Sequence, residues 1–224
     1  MRLLVLGHGK TGKLVADVAA ERGHGVHVLD ARENPNSAAL TAPFIAAFDV
    51  VIDFTTPDAV IPNLRACLAT GAKCVVGTTG WYASLPAMKE LAERKGASLL
   101  YGTNFSVGVQ VMLELAQEFV RALPGYRFSI DETHHATKLD APSGTALSLQ
   151  QAISTITKAE INSIREGDAA GTHTLRATSG SDTLSLTHEA HSRRGFAEGA
   201  VRAAEWLAQQ KPGTYDFSHI YRKL

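Results

Sequence analysis

The sequence predicts an α/β protein in two parts: a doubly wound parallel sheet first, then an α+β domain with a mixed or antiparallel sheet. Three observations carry this. The first hundred residues alternate short β-rich apolar runs with stretches of helical periodicity, the pattern of βαβ units. A glycine cluster, Gly7-x-Gly9-x-x-Gly12, stands where the first strand gives way to the first helix. After residue 125 the chain turns to Thr- and Ser-containing segments that alternate polar and apolar, which read as strands with one wet face.

The elements follow in order. "RLLVLG" is a strand ended by glycine. Leu14, Val15, Val18 and Ala19 fall at helical spacing, and Gly23 and Gly25 close that helix. "VHVLD" is the second strand. Residues 31–47, polar and holding Pro35 and Pro43, are expected to be mostly loop. "FDVVIDFT" and "KCVVGTT" are strands joined by a helix over 57–70, and a helix over 84–95 leads to "SLLYGTN". "VGVQVMLELAQEFVRAL" is a helix stopped by Pro124-Gly125. "RFSIDETHH" is a strand, followed by a helix over about 143–158 and by the strands "HTLRATSG" and "DTLSLTHEA". A helix over 196–210 and a short element, "TYDFSHI", end the chain. The expected domains are 1–105, completed by 192–224, and 106–191.

Composition narrows the function. With 224 residues and 45% hydrophobic content, the chain has enough apolar surface for a core without disulfides or metals. Basic and acidic residues number 22 each, so a nucleic-acid partner is not expected. Cys67 and Cys74 are too few for a disulfide framework and read as buried free thiols. No apolar run approaches a membrane span, and no leader precedes the first strand, so a cytoplasmic protein with no membrane partner is expected.

The glycine cluster follows a strand, opens a helix and has an acid, Asp30, at the end of the next strand. That is the dinucleotide fingerprint of a Rossmann-type sheet. Gly7 suits the tight turn, Gly9 lets backbone approach pyrophosphate, and Gly12 lets helix lie close to sheet. Lys10 and Thr11 stand between them, where the helix start receives phosphate charge. Asp30 would accept ribose hydroxyls and repel a 2′-phosphate, while Arg32 partly offsets that repulsion. NADH is therefore the expected cofactor, with NADPH tolerated. Gly77, Thr78 and Thr79 end one strand, and Gly102, Thr103, Asn104 and Phe105 another, at the carboxyl edge where ligands bind.

The stretch "ETHHATKLDAPSGTAL", residues 132–147, holds the remaining chemistry. Imidazole transfers protons near neutral pH, and lysine meets a carboxylate or developing negative charge. Pro142 suits a helix start, Ser143 or Thr145 can cap it, and Gly144 lets backbone N–H groups approach a ligand. "SGT" at a helix start is thus an anion cradle. His134 and His135, if extended, point to opposite sides. His173, His188 and His191 share no compact ligand motif with them, so no metal is expected.

This stretch resembles the signature of the 4-hydroxy-tetrahydrodipicolinate (dihydrodipicolinate) reductase family. "VVIDFTTPDA", "VVGTTGW", "NFSVGVQVML" and "THEAHSRRGFAEGAVRAAEWL" resemble that family in the same order, over nearly the whole chain. The resemblance implies an NAD(P)H-dependent reductase of diaminopimelate and lysine biosynthesis, a dicarboxylate substrate and a homotetramer formed through the second domain's sheet. It implies His134 as proton donor, Lys138 as its catalytic partner, His135 in contact with substrate, and Ser143, Gly144 and Thr145 around a substrate carboxylate. The glycine loop is one residue shorter than the family's form, and the segment after Asp30 is short. Two other readings exist: a related dehydrogenase acting on another small carboxylate, and a regulator that binds NADH without turnover.

Overall fold

The computed structural model describes all residues, 1–224. The chain forms two compact units, Met1–Phe105 with Arg194–Leu224, and Ser106–Arg193.

The first unit is built on six parallel strands: β1 (Arg2–Leu6), β2 (Gly25–Leu29), β3 (Val50–Asp53), β4 (Lys73–Val76), β5 (Ser98–Tyr101) and β10 (Gly213–Asp216). Their order is β10-β5-β4-β3-β1-β2. Order reverses between β1 and β3, so the loops that follow those two strands diverge and leave a crevice at their carboxyl ends. The helices are α1 (Lys10–Glu21), α2 (Ala42–Ile45), α3 (Pro57–Ala69), α4 (Leu85–Lys95), α7 (Arg194–Ala208) and α8 (Phe217–Ile220). Helices cover the sheet, so Leu3, Leu4 and Val5 are wholly buried as a continuous apolar run rather than an alternating one. Leu4, Leu6, Val51, Cys74 and Val76 pack with Leu64, Leu68 and Met88 of α3 and α4. Helices α1 and α7 pack together, and α7 lies against β3, β4 and β5. Both cysteines are buried and free.

The second unit is a mixed sheet, ordered β7-β6-β8-β9, from β6 (Arg127–His134), β7 (Ala159–Arg165), β8 (Thr172–Thr178) and β9 (Thr183–Glu189). β6 and β7 are parallel, and the other pairs are antiparallel. Helices α5 (Val107–Arg121) and α6 (Gly144–Ile153) bury Met112, Ala116, Leu149 and Ile153 against Ile130 and Leu175. The helix expected to reach residue 158 stops at Ile153. Ser154 caps it, and the β-branched run Thr155-Ile156-Thr157 disfavours another turn. The chain then forms β7, for which the sequence carries no clear strand signal. Within residues 31–47 a 3₁₀ turn at Pro35–Ser37 and the short α2 interrupt the expected loop.

Candidate active site

The glycine turn is shaped by contact. Gly7 has φ +94°, and a Cβ there would sit 2.4 Å from the Phe54 carbonyl oxygen. A Cβ on Gly12 would fall 2.1 Å from the Gly7 carbonyl oxygen, so α1 starts flush against the turn. Around Gly9, the N-cap of α1, a Cβ would meet nothing within 4 Å. The open side of the turn thus lies at the helix N-terminus, beside Lys10 and Thr11, where free N–H groups suit a pyrophosphate.

Next to it is a cavity of about 410 Å³, lined by Gly7, Gly9, Asp30, residues 34–37, Thr55 and Asn63 among others. The Asp30 carboxylate accepts the backbone N–H groups of Arg32 at 2.7 Å and Glu33 at 3.1 Å. The Glu33 and Arg32 amides hold its carboxyl below the usual range, so Asp30 is an anion facing the cavity. Arg32 is exposed beside it.

The other cofactor candidates divide. Thr79 and Thr103 are exposed beyond the carboxyl ends of β4 and β5. Gly77, Thr78, Gly102 and Phe105 belong to the framework, and Asn104 lies half-buried between Thr103 and Phe105. A Cβ on Gly77 would strike the Phe54 ring at 2.1 Å, and one on Gly102 would approach Phe217 at 2.8 Å. The Thr78 hydroxyl donates to Asp53 at 2.7 Å. The Phe105 ring packs on Phe217 with centroids 4.5 Å apart.

In the second unit the acid–base residues lie along one face of β6. Ile130, Glu132 and His134 are buried in alternation, so the face passes from apolar core to titratable groups within five residues. Glu132 is 0% exposed. Its Oε1 accepts Arg165 Nη2 at 2.7 Å and the Ser143 N–H at 3.3 Å. Its Oε2 lies 2.5 Å from His134 Nδ1, which makes the two an ion pair whenever the imidazole is protonated. Burial alone would raise the Glu132 carboxyl, but the Arg165 hydrogen bond and the neighbouring charges outweigh it and hold it at about 2. Burial pushes the His134 imidazole below the ordinary histidine value, and Glu132 pulls against it.

Around His134 the packing is tight. A Cβ on Gly171, at φ +143°, would approach His134 Nε2 to 2.9 Å. His173 faces Glu132 across the β6–β8 ladder, with its ring 5.1 Å from that of His134. Its Nε2 lies 3.1 Å from Ser143 Oγ. Ser143 is the N-cap of α6 and accepts the Ala146 N–H at 3.2 Å. Gly144 and Thr145 begin the helix, and Gly144 is exposed with open space around it. His135, half-buried, turns away from His134, with Nδ1 2.9 Å from Thr137 Oγ1 and Nε2 3.5 Å from Arg193 Nη2. Lys138 pairs with Asp140 at 2.6 Å.

Sequence reasoning gave no role to Glu132, Arg165, Gly171 or Asn63, and it set His173 apart from His134. Ligand atoms of Glu132, His134 and His173 in fact lie within 4.8 Å of one another. Only the spacing of Glu132 and His134, two apart on a strand, was visible in advance. The others arrive through strand register. The donor set suits a proton better than a metal, because the Arg165 guanidinium, on Oε1, already neutralises the one carboxylate of the set.

A parallel sheet with a glycine turn and an acid after β2, in one chain with a buried histidine–carboxylate pair beside a helix start, defines a pyridine-nucleotide-dependent oxidoreductase. Residues 1–105 match the model of the dihydrodipicolinate reductase N-terminus, and 108–221 that of its C-terminus. The chain belongs to the dihydrodipicolinate reductase family. It is 34% identical to the 4-hydroxy-tetrahydrodipicolinate reductase of Christiangramia forsetii over 100% of this chain and 99% of the relative. It is 35% identical to that of Natronomonas pharaonis, over 97% and 98%. In fold it resembles dipicolinate-bound dihydrodipicolinate reductase from Paenisporosarcina sp. TG-14, with TM-score 0.78, 24% identity, and 98% and 99% of the two chains covered.

Proposed function

We propose that the chain reduces 4-hydroxy-tetrahydrodipicolinate to tetrahydrodipicolinate with NAD(P)H, releasing water, in diaminopimelate and lysine biosynthesis. The observation that carries this is the buried His134–Glu132 pair beside the α6 start, in a chain whose whole length matches that reductase family.

Each residue then has a task. The α6 start, with Ser143, Gly144 and Thr145, holds one substrate carboxylate by N–H donation and helix dipole. His135 and Lys138 meet the rest of the dicarboxylate, Lys138 exchanging Asp140 for substrate. The reduced nicotinamide supplies hydride when bound. Once water has left, His134 would deliver the proton that the displaced electrons take up, at the ring carbon next to the carbon reduced, which restores the ring C=N of the product. His134 must be charged to do so, and burial opposes that charge. Glu132 favours it, and two substrate carboxylates add to the same effect. Arg165 fixes Glu132, and His173 holds Ser143 in its capping position.

In the first unit, Gly7, Gly9, Gly12, Lys10 and Thr11 serve pyrophosphate. Asp30 takes the ribose hydroxyls, which favours NADH, and Arg32 tolerates NADPH. Gly77, Thr78, Thr79, Gly102, Thr103, Asn104 and Phe105 shape the nicotinamide end through backbone and packing. As a member of a biosynthetic reductase family, the enzyme is placed in the cytoplasm. We also infer a homotetramer through the second unit's sheet, because α5 and α6 cover one face and leave the other open, with Ile164 exposed. The test is substitution: His134→Gln and Lys138→Ala should each lower kcat roughly 10²–10⁴-fold while NADH affinity holds. Near-normal turnover in either refutes that residue's role.

A further inference from the structure

A buried hydrogen-bond chain runs beneath the cavity of the first unit. Asp53, 2% exposed at the end of β3, accepts the Thr55 hydroxyl at 2.7 Å, the Thr78 hydroxyl at 2.7 Å and Asn63 Nδ2 at 2.9 Å. A carboxylate accepts only, so it fixes which way the Asn63 amide faces. Nδ2 points to Asp53, and Oδ1 is turned to the segment after β2. There Oδ1 accepts Asn34 Nδ2 at 3.1 Å and Ser37 Oγ at 2.7 Å. Asn34 Oδ1 in turn accepts the Ala39 N–H at 3.2 Å. Between these ties, Asn36 and Ser37 have φ of 50° and 63°, a region that side chains other than glycine seldom occupy. The segment is short, and the Asn63 amide is its anchor to the sheet. Residues 34–37 and Asp30 line the same cavity.

We propose that Asn63 is a positioning residue for cofactor selection. It clamps residues 34–37 against the ribose side of the cavity, so that Asp30 meets an unphosphorylated 2′-hydroxyl. The inference rests on reading that cavity as the adenosine site. With the amide gone, the strained turn relaxes and the wall beside Asp30 opens. The ordered pocket for NADH is lost, and room for a 2′-phosphate appears near Arg32. NADH binding suffers most, and the step at His134 is untouched.

The test measures NADH and NADPH binding by nucleotide fluorescence on the full chain, as wild type, Asn63→Leu, Asn34→Ala and Ser37→Ala, with steady-state kinetics alongside. For Asn63→Leu, Kd and KM for NADH should rise roughly tenfold, the size expected when a loop held by two neutral hydrogen bonds is released. The NADPH values should move less, so the preference narrows while kcat stays near wild type. A folded Asn63→Leu with wild-type NADH affinity and an unchanged NADH-to-NADPH ratio overturns the proposal. Should that variant not fold, Asn34→Ala and Ser37→Ala, at the surface end of the chain, must show the same narrowing, and its absence in both overturns the proposal. A wild type that binds neither nucleotide overturns the cofactor reading itself, and this inference with it.

Discussion

His173 offers a quantitative check on the buried acid–base cluster. It is 4% exposed, its Nε2 lies 3.1 Å from Ser143 Oγ, and its ring is 5.1 Å from that of His134. Burial first, and then the His134 charge, push its pKa down to about 4. An unfolded histidine titrates near 6.5, so below that pH the unfolded chain takes a proton that the folded one refuses. Stability from this group is therefore present above about pH 6.5 and is lost as pH falls towards 4. Between pH 7 and pH 5 the two pKa values give a loss of about 2 kcal/mol. The assay is urea unfolding of wild type and His173→Gln over that range. Glutamine retains a polar group able to reach the Ser143 hydroxyl but does not titrate. His134 and His188, also lowered by burial, are common to both proteins and cancel. Glu132, at about 2, titrates outside the window. The variant should lose about 2 kcal/mol less than wild type between the two pH values, whatever its stability at pH 7. Parallel stability curves would show that His173 is not held neutral by its surroundings.

Other outcomes follow from the same geometry. With His134 as the proposed proton donor and burial lowering its pKa, kcat/KM should fall as pH rises, with the limb beginning below about 6.5. The limb in kcat should lie higher, since bound carboxylates favour the charged ring; a kcat/KM that rises with pH would reverse the assignment. Glu132→Gln removes the buried carboxylate 2.7 Å from the half-buried Arg165 guanidinium, which keeps its bonds to the Ile164 and Asp140 carbonyls, so urea unfolding should show a loss of about 1–3 kcal/mol. Gly12→Ala sets a Cβ 2.1 Å from the Gly7 carbonyl oxygen, so it should cost about 1–3 kcal/mol in thermal unfolding and weaken NADH binding.

Much of the first unit was legible because its signals are local. The Gly7 turn, the apolar strands and the periodic helices are each fixed by neighbours in sequence. β10 was read only as a short element, since its four residues, GTYD, become a strand by pairing with β5. β7 was unassigned because its parallel register with β6 is set by the α6 crossover, which no short-range pattern reveals. The site divides the same way. Chemistry concentrated in residues 132–147 could be read directly. Arg165 and His173 come to it only through the ladders that place them across from His134 and Glu132. Thr78 and Phe105 read as ligand-facing from their place at strand ends. The structure commits the Thr78 hydroxyl to Asp53 and the Phe105 ring to Phe217, since buried groups at a strand end also satisfy one another.

The proposed reduction is measured directly as NADH oxidation by the purified protein, with substrate formed in place from pyruvate and aspartate semialdehyde by the preceding synthase. NADPH is run in parallel, and His134→Gln serves as the control. Oxidation should be rapid, require both precursors, run faster with NADH at limiting cofactor, and collapse in His134→Gln. Binding of NADH with no oxidation when the synthase product is present would contradict the proposed reduction.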